Sequence, residues 1–143
     1  MTALPCFVDS NIWLYSLMTD PKASELENVR KYSLSTQLIC SINLIVSTQV
    51  INEVCSVLVR KAAFTETQLK QTIQDFYDSC SVVELNAEIL VNASNLRIRY
   101  HFSFWDGLIV ASALSAKAEI LYSEDMQDGL VVEQRLTIAN PFK

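Results

Sequence analysis

The sequence is poor in glycine, proline and histidine, and each shortage argues against a class of function. It contains two glycines, three prolines and one histidine in 143 residues. Two glycines are too few for a Gly-x-Gly-x-x-Gly loop, and their positions do not form the Gly-x-x-x-x-Gly-Lys pattern of a P-loop. One histidine, His101, is a poor basis for a Ser-His-Asp hydrolase, and no Gly-x-Ser-x-Gly motif occurs. Because no Gly- or Pro-rich linker is present, we expect a single domain over residues 1–143.

Long apolar runs and paired cysteines are also missing. No apolar stretch reaches the roughly 18 residues of a membrane-spanning helix, and the first residues lack the basic start of a secretory signal. The four cysteines have no Cys-x-x-Cys spacing, which gives little support to a zinc site. Their apolar surroundings predict small, buried, reduced thiols. We therefore expect a cytoplasmic protein that does not associate with membranes.

Positive charge is in deficit as well. Sixteen acidic residues against eleven basic ones give a net charge of −5. A protein that binds nucleic acid through electrostatics alone is normally basic. Two interpretations stay open: nucleic acid is not the ligand, or much of the negative charge belongs to a metal site. In the second case a bound cation would reverse the local field.

Apolar, strand-like runs alternate with helical patterns along the chain. The predicted strands are 6–9, 44–47, 81–85, 119–123 and 136–139. The predicted helices are 11–18, one beginning at Pro21, 49–63, one opened by Thr65, 87–100 and 104–117, with Ser10, Thr48 and Ser103 as helix caps. This order predicts an α/β fold with a central parallel sheet of four to five strands and helices on both faces.

Four carboxylates each lie where a strand-like run gives way to a helix: Asp9, Glu53, Asp106 and Asp125. In a parallel α/β fold such junctions share one edge of the sheet, where ligands bind. Two carboxylates about 4 Å apart repel by roughly 4 kcal/mol at an effective dielectric constant near 20. A cluster of four therefore needs protons or a cation. The pattern indicates a divalent-metal site suited to phosphodiester chemistry.

Each acid alone has an ordinary explanation. Asp9 can complement a helix dipole, and Asp106 can complete a capping box with Ser103. Glu53 and Asp125 can simply face solvent. The metal-site interpretation therefore depends on all four together.

Four segments, in this order along the chain, resemble the motifs of the PIN-domain ribonucleases, especially the short toxins of the VapC type. They are Phe-Val-Asp-Ser-Asn-Ile at 7–12, Ser-Thr-Gln-Val-Ile-Asn-Glu-Val at 47–54, Ser-Phe-Trp-Asp-Gly-Leu-Ile-Val-Ala at 103–111 and Leu-Tyr-Ser-Glu-Asp-Met at 121–126. The resemblance covers nearly the whole chain. It implies a PIN-like fold.

The resemblance also implies roles for particular residues. The carboxylates of Asp9, Asp106 and Asp125 would bind Mg²⁺ or Mn²⁺. Glu53 would bind the metal directly or hold a water. Asn11 and Ser123 would be supporting polar groups near the metals or the scissile phosphate. The family usually has threonine at position 123, and serine keeps the hydroxyl. The roles of Glu124 and Asp128 stay open.

The function implied is a Mg²⁺- or Mn²⁺-dependent endoribonuclease that hydrolyses RNA phosphodiester bonds. Such a protein would be the toxin of a type II toxin–antitoxin pair, a homodimer, and inhibited by a small antitoxin. Two alternatives stay open: a housekeeping RNA-processing nuclease without an antitoxin, and a non-catalytic PIN-fold interaction module. A phosphoacceptor receiver domain would need paired acids before the first helix, and Asp9 stands alone there.

Substrate contacts are less clear from the sequence. Several basic side chains could contact phosphates or simply face solvent: Arg60, Lys61, Lys70, Arg97 and Arg99. Trp13, Tyr15 and Trp105 could stack on unpaired bases, although burial in a core or an interface is favoured. We also expect Trp13, with Leu14 and Leu17, to suit the groove of a protein partner.

Overall fold

The computed structural model describes residues 4–41 and 43–143. The strands are β1 (Cys6–Val8), β2 (Leu44–Ser47), β3 (Ser81–Val83), β4 (Ile120–Tyr122), β5 (Val131–Val132) and β6 (Leu136–Ala139). The helices are α1 (Ser10–Leu17), α2 (Glu25–Ile39), α3 (Thr48–Ala62), α4 (Glu66–Ser79), α5 (Ala87–Tyr100) and α6 (Phe104–Ser115). Within the described residues, no helix has the length and apolar character needed to cross a bilayer.

The strands form one sheet in the order β3-β2-β1-β4-β6-β5. All pairings are parallel except that of β5 with β6, so the predicted parallel α/β sheet is confirmed with five parallel strands. The antiparallel strand β5 was not predicted. It joins β6 through Glu133 and Gln134, whose φ angles are 51° and 60°. Glycine and asparagine usually occupy such left-handed turn positions, so the sequence carried no hairpin signal.

The order in which strands are added to the sheet reverses at β1, although β1 and β4 are parallel. From β1 it proceeds outwards to β2 and β3, then returns to the other side of β1 at β4. Because such crossovers are right-handed, α1–α4 cover one face of the sheet and α5–α6 the other. Both α3 and α6 contact β2, as this arrangement requires. The carboxyl ends of β1 and β4 thus form a topological switch point, where α/β sheets bind ligands.

Three helices begin differently from the prediction. Asp9, not Ser10, caps α1, and Ser47, not Thr48, caps α3. Helix α2 is capped by Ser24, while Pro21 lies in the turn before it. Thr65 and Ser103 cap α4 and α6 as predicted, Thr65 with a full capping box.

The core lies between the sheet and α1, α3, α5 and α6, and its completely buried side chains include Phe7, Val50, Leu58, Leu96 and Leu121. The apolar residues of α2 behave differently, because Leu26, Val29 and Tyr32 are exposed. The cysteine prediction is also partly wrong: Cys6 is buried, but Cys40 is exposed.

Candidate active site

Asp9 directly follows the central strand β1 at the switch point. Its side chain is 8% exposed. The backbone N–H of Ser10 donates to Asp9 Oδ1 at 2.7 Å, and Ser123 Oγ donates to Oδ2 at 3.0 Å. Ser123 follows the neighbouring strand β4 and is fully buried. Two adjacent strand ends therefore hold one buried carboxylate.

Glu53 lies in the second turn of α3, and Ser10 connects it to Asp9. The Ser10 hydroxyl is 2.9 Å from Glu53 Oε2 and 3.5 Å from Asp9 Oδ1. Gln49, one turn earlier in α3, donates from Nε2 to Glu53 Oε1 at 3.0 Å. The sequence suggested neither Ser10 nor Gln49 as a site residue. Their signals were the position directly after Asp9 and the i, i+4 spacing to Glu53.

Asp106 reaches the same edge by another route than predicted. The segment directly before it is not a strand, because Phe104 and Trp105 already belong to α6, whose first turn contains Asp106. Helix α6 ends shortly before β4 begins. Its start therefore lies at the opposite edge, where the parallel strands end. Asp106 N–H donates to Ser103 Oγ at 3.2 Å.

Asp125 lies in the loop after β4, and no helix follows it. It is exposed, and Asn11 Nδ2 donates to its Oδ2 at 2.6 Å. Asn11 is in the first turn of α1. The two predicted supporting residues thus each contact a predicted carboxylate, Asn11 that of Asp125 and Ser123 that of Asp9.

The four carboxylates interact electrostatically. Burial raises the pKa of Asp9 from 3.8 to about 6; hydrogen bonds from Ser10 and Ser123 oppose this, and the charges of Glu53 and Asp106 add to it. Burial also raises the pKa of Asp106, with the charges of Asp125 and Glu53 contributing. In the described part of the chain, none of these four carboxylates forms an ion pair.

The donor set fits an open site for a divalent ion. Within residues 4–41 and 43–143, no three Asp, Glu, His or Cys side chains form a group that could by itself hold an ion. Mg²⁺ is usually held by one or two carboxylates with water and phosphate, not by a cage of protein ligands. The carboxylates offer hard oxygen donors, and burial, with a smaller contribution from the neighbouring acids, raises the pKa values of Asp9 and Asp106.

The other two acids of this loop have structural contacts instead. Glu124 accepts hydrogen bonds from Tyr15 OH at 2.5 Å and from Lys31 Nζ at 2.8 Å. Asp128 Oδ1 accepts the backbone N–H of Asn140 at 2.8 Å. Glu124 therefore ties the loop to α1 and α2, and Asp128 ties it to the end of β6.

The two tryptophans lie in opposite environments. Trp13 is 6% exposed, donates to Val8 O at 3.1 Å and contacts the ring of Phe76. The prediction that it suits a partner groove is therefore wrong, because Trp13 belongs to the core. Trp105 is 60% exposed. Burial in the core is confirmed for Trp13, whereas for Trp105 only burial in an interface between chains stays a prediction.

Of the basic side chains considered for phosphate contacts, Arg97 and Arg99 have partners within the protein, whereas Arg60 lies near the carboxylates. Arg97 donates to Phe104 O and Ser94 Oγ, both at 3.0 Å, and Arg99 pairs with Glu133. Arg60 lines a cleft of about 400 Å³ between α1 and α3 whose walls include Asn11 and Glu53. It is the candidate base beside the carboxylates.

Sequence comparison agrees with this geometry. The profile of the PIN domain family matches residues 6–127, a span that contains all four carboxylates. The chain belongs to the PIN domain family. A search of curated proteins found no significant match.

Solved structures share the PIN fold at low sequence identity. A chain of a toxin–antitoxin complex from Klebsiella pneumoniae has a TM-score of 0.68 and 15% identity, with 95% of this chain and 97% of that chain covered. The sarcin-ricin loop cleaving toxin VapC20 of Mycobacterium tuberculosis has a TM-score of 0.64 and 17% identity, with 84% and 89% covered. VapBC2 from Rickettsia felis, bound to a promoter DNA fragment, has a TM-score of 0.56 and 15% identity, with 84% and 87% covered.

Proposed function

We propose that this PIN domain is a Mg²⁺- or Mn²⁺-dependent endoribonuclease and the toxin of a toxin–antitoxin pair. The observation that carries the proposal is the convergence of Asp9, Glu53, Asp106 and Asp125 at the switch point, where none of the four forms an ion pair within the described residues. Charge left uncompensated in the protein alone suits a site completed by a cation and a phosphate.

The residues divide the work as follows. Asp9, Asp106 and Asp125 would hold the ion, and Glu53 would hold it directly or through a water. A bound divalent ion stabilises charge on phosphoryl oxygens and makes water more acidic. Ser10 and Gln49 fix the two oxygens of Glu53, so that this carboxylate can take a proton from an attacking water. The expected products carry a 5′-phosphate and a 3′-hydroxyl.

The cleft between α1 and α3 supports an RNA substrate. It begins at Glu53 and Asn11 and includes Arg60. A guanidinium there can contact a phosphate next to the one being cut, which positions the strand without reading its sequence. The overall charge of −5 then does not argue against RNA, because the acids lie where the metal would bind.

A second surface, outside the acidic cluster, supports the proposal that a small antitoxin binds this protein. A groove of about 620 Å³ runs between the end of α1 and the start of α2, and exposed Leu17, Val29 and Tyr32 lie in or beside it. Two of the similar structures are described as toxin–antitoxin or VapBC assemblies. Exposed apolar patches of this kind often mark protein interfaces. The homodimer stays a prediction, which sedimentation can check.

The test is to incubate the purified protein with total RNA, with and without Mg²⁺ or Mn²⁺, and to map the cut ends. Asp106→Asn should abolish cleavage while circular dichroism stays unchanged. Asp78→Asn, at an exposed position in α4, is the matched control and should cleave normally. Undiminished cleavage by Asp106→Asn would remove the carboxylates from the mechanism, and RNA binding without cleavage would favour the non-catalytic module.

Growth experiments separate the toxin from a housekeeping nuclease. Expression of the native chain should arrest growth, and co-expression of a protein encoded by a neighbouring small gene should relieve it. RNA cleavage without growth arrest would favour the housekeeping nuclease.

A further inference from the structure

We propose that Trp105 is a stacking platform for an unpaired base of the RNA, next to the bond that is cut. This inference rests on the proposed ribonuclease function and names the form of RNA that the site would accept. It assigns substrate binding to a residue outside the acidic cluster.

The position of Trp105 is unusual for a large aromatic side chain. It is 60% exposed, and its neighbour Phe104 is 57% exposed. The two rings contact each other edge to face, with centroids 5.0 Å apart. They stand in the first turn of α6, and Asp106 is the next residue. Two exposed rings thus share the first turn of α6 with one of the carboxylates, at the edge where the strands end.

Arg97 holds the Phe104 ring in place, and Phe104 in turn contacts the Trp105 ring. The guanidinium of Arg97 lies 4.4 Å from the centroid of the Phe104 ring, and its Nη1 donates to Phe104 O at 3.0 Å. A Cβ at Gly107 would lie 2.7 Å from Arg97 Cγ, so glycine is what lets the Arg97 stem lie against α6. Phe104 supports Trp105 in turn through the ring contact. A rigid ring loses little conformational entropy when a base stacks on it.

Trp105 is also connected to the carboxylates through its backbone. Its carbonyl oxygen accepts a hydrogen bond from Gln49 Nε2 at 3.4 Å, and the same amide nitrogen donates to Glu53. Gln49 is buried, and within the described chain its Oε1 has no hydrogen-bond partner. One side chain thus links the start of α6 to Glu53. A base stacked on Trp105 would therefore have a fixed register relative to the acids.

The small number of free basic side chains favours stacking as a source of RNA affinity. RNA binding through phosphates alone requires many free lysine and arginine side chains, and the chain has only eleven of these residues. Several of them are engaged elsewhere: Lys31 with Glu124, Arg97 with Phe104, and Arg99 with Glu133. Stacking on an aromatic ring needs no positive charge, and every base has a face that can stack. A base held in a duplex cannot present that face, so the platform selects single-stranded RNA.

The experiment uses the Asp9→Asn protein in Mg²⁺, so that RNA is not cut during the measurement. The probe is a single-stranded RNA of about 10 nucleotides, a usual site size. Because Trp13 is buried, the response of the tryptophan emission reports on Trp105. We expect the single strand to quench this emission and a duplex of the same sequence to leave it unchanged. Adding Trp105→Phe should remove the quenching.

Affinity is measured with the same RNA carrying a fluorescent label. Trp105→Ala should weaken binding about 5- to 150-fold, the range for losing one stacked base. Trp105→Phe should restore most of the affinity, because it keeps an aromatic face. Leu26→Ala, which removes a side chain 81% exposed on α2, is the matched control and should bind like its parent. In the native background, Trp105→Ala should raise KM more than it lowers kcat.

Three outcomes would overturn the proposal. If Trp105→Ala binds RNA as tightly as its parent while the native protein cleaves RNA, the platform is wrong and the ribonuclease function stands. If Trp105→Ala changes the sedimentation coefficient, the ring serves an interface between protein chains. If the native protein cleaves no RNA with Mg²⁺ or Mn²⁺ and its Asp9→Asn variant binds none, both proposals fail.

Discussion

Glu124 and Asp125 are adjacent in sequence, yet they belong to two different regions. Glu124 lies in a clamp formed with Lys31, Tyr15 and Phe142, where the Lys31 ammonium also faces both rings at 4.7 and 5.5 Å. Asp125 belongs to the acidic cluster, and among the described residues its carboxylate accepts a hydrogen bond only from the neutral amide of Asn11. The clamp is complete in the protein alone. The cluster is not, and this difference separates an acid that holds the fold from acids that await a ligand.

The largest expected effect is the loss of RNA cleavage when a carboxylate of the acidic cluster is replaced. Asp9→Asn should lower the rate of RNA cleavage by at least about 10²–10³-fold, the loss typical when one preorganised electrostatic group is removed. Glu124→Gln in the clamp should retain most of the activity, because the hydrogen bonds of the Glu124 side chain in the described structure come from Tyr15 and Lys31, outside the cluster. Initial rates on one labelled RNA measure both. Equal losses in the two variants would erase the distinction between the regions.

The stability of the metal-free protein should fall as the pH rises from about 4 to above 6. Below that window Asp9 is protonated in both the folded and the unfolded chain. Within it the unfolded chain releases the proton first, because burial holds the folded pKa at about 6 against 3.8. The unfolded state is therefore favoured increasingly, and the free energy of unfolding drops by up to about 3 kcal/mol.

Urea denaturation in a chelating buffer at several pH values measures this effect. Asp9→Asn removes the titrating group, so it should be more stable than the native protein at pH 8 and lose this part of the pH dependence. Glu124→Gln should keep the native dependence in that window. A native stability that is flat between pH 4 and 7 would contradict the raised pKa of Asp9.

Adding Mg²⁺ or Mn²⁺ should then stabilise the folded protein, by about 2.7 kcal/mol when the ion is at 100 times its Kd. Ionised Asp9 is costly without a cation and favoured with one. The shift in melting temperature should be lost in Asp9→Asn and Asp106→Asn, and kept in Asp78→Asn. A similar shift in all variants would mean that the ion binds elsewhere.

The sequence predicted the chemistry of the cluster better than the contacts that support it. The alternation of strands and helices fixes where parallel strands end, so Asp9 and Asp125 could be assigned to one edge. Asp106 reaches that edge only through the return of α6, which the segment preceding it does not reveal. The role of Glu124 stayed open in the sequence, because its partners Lys31 and Tyr15 are remote along the chain.

Helix starts show the same limit on a smaller scale. Asp9 and Ser10 are both good helix caps, and propensity does not choose between them. The structure uses Asp9 as the cap, and the Ser10 hydroxyl is then free to donate to Glu53. The choice of Asp9 as the helix cap, a short-range preference, thus goes together with the long-range hydrogen bond from Ser10 to Glu53. Only the second was invisible in the sequence.

The smallest effect should come from breaking the clamp. Lys31→Met leaves Glu124 unpaired beside Asp125, so it adds an uncompensated acid to the edge. Both side chains of the Lys31–Glu124 pair are 21% exposed, and we expect a loss of about 1 kcal/mol. The double variant Lys31→Met/Glu124→Gln should be less destabilised than the sum of the two single variants, because the second change removes the acid that the first left unpaired. Additive losses would mean that Lys31 stabilises the fold through its other neighbours, Tyr15, Phe142 and Glu27, and not through Glu124.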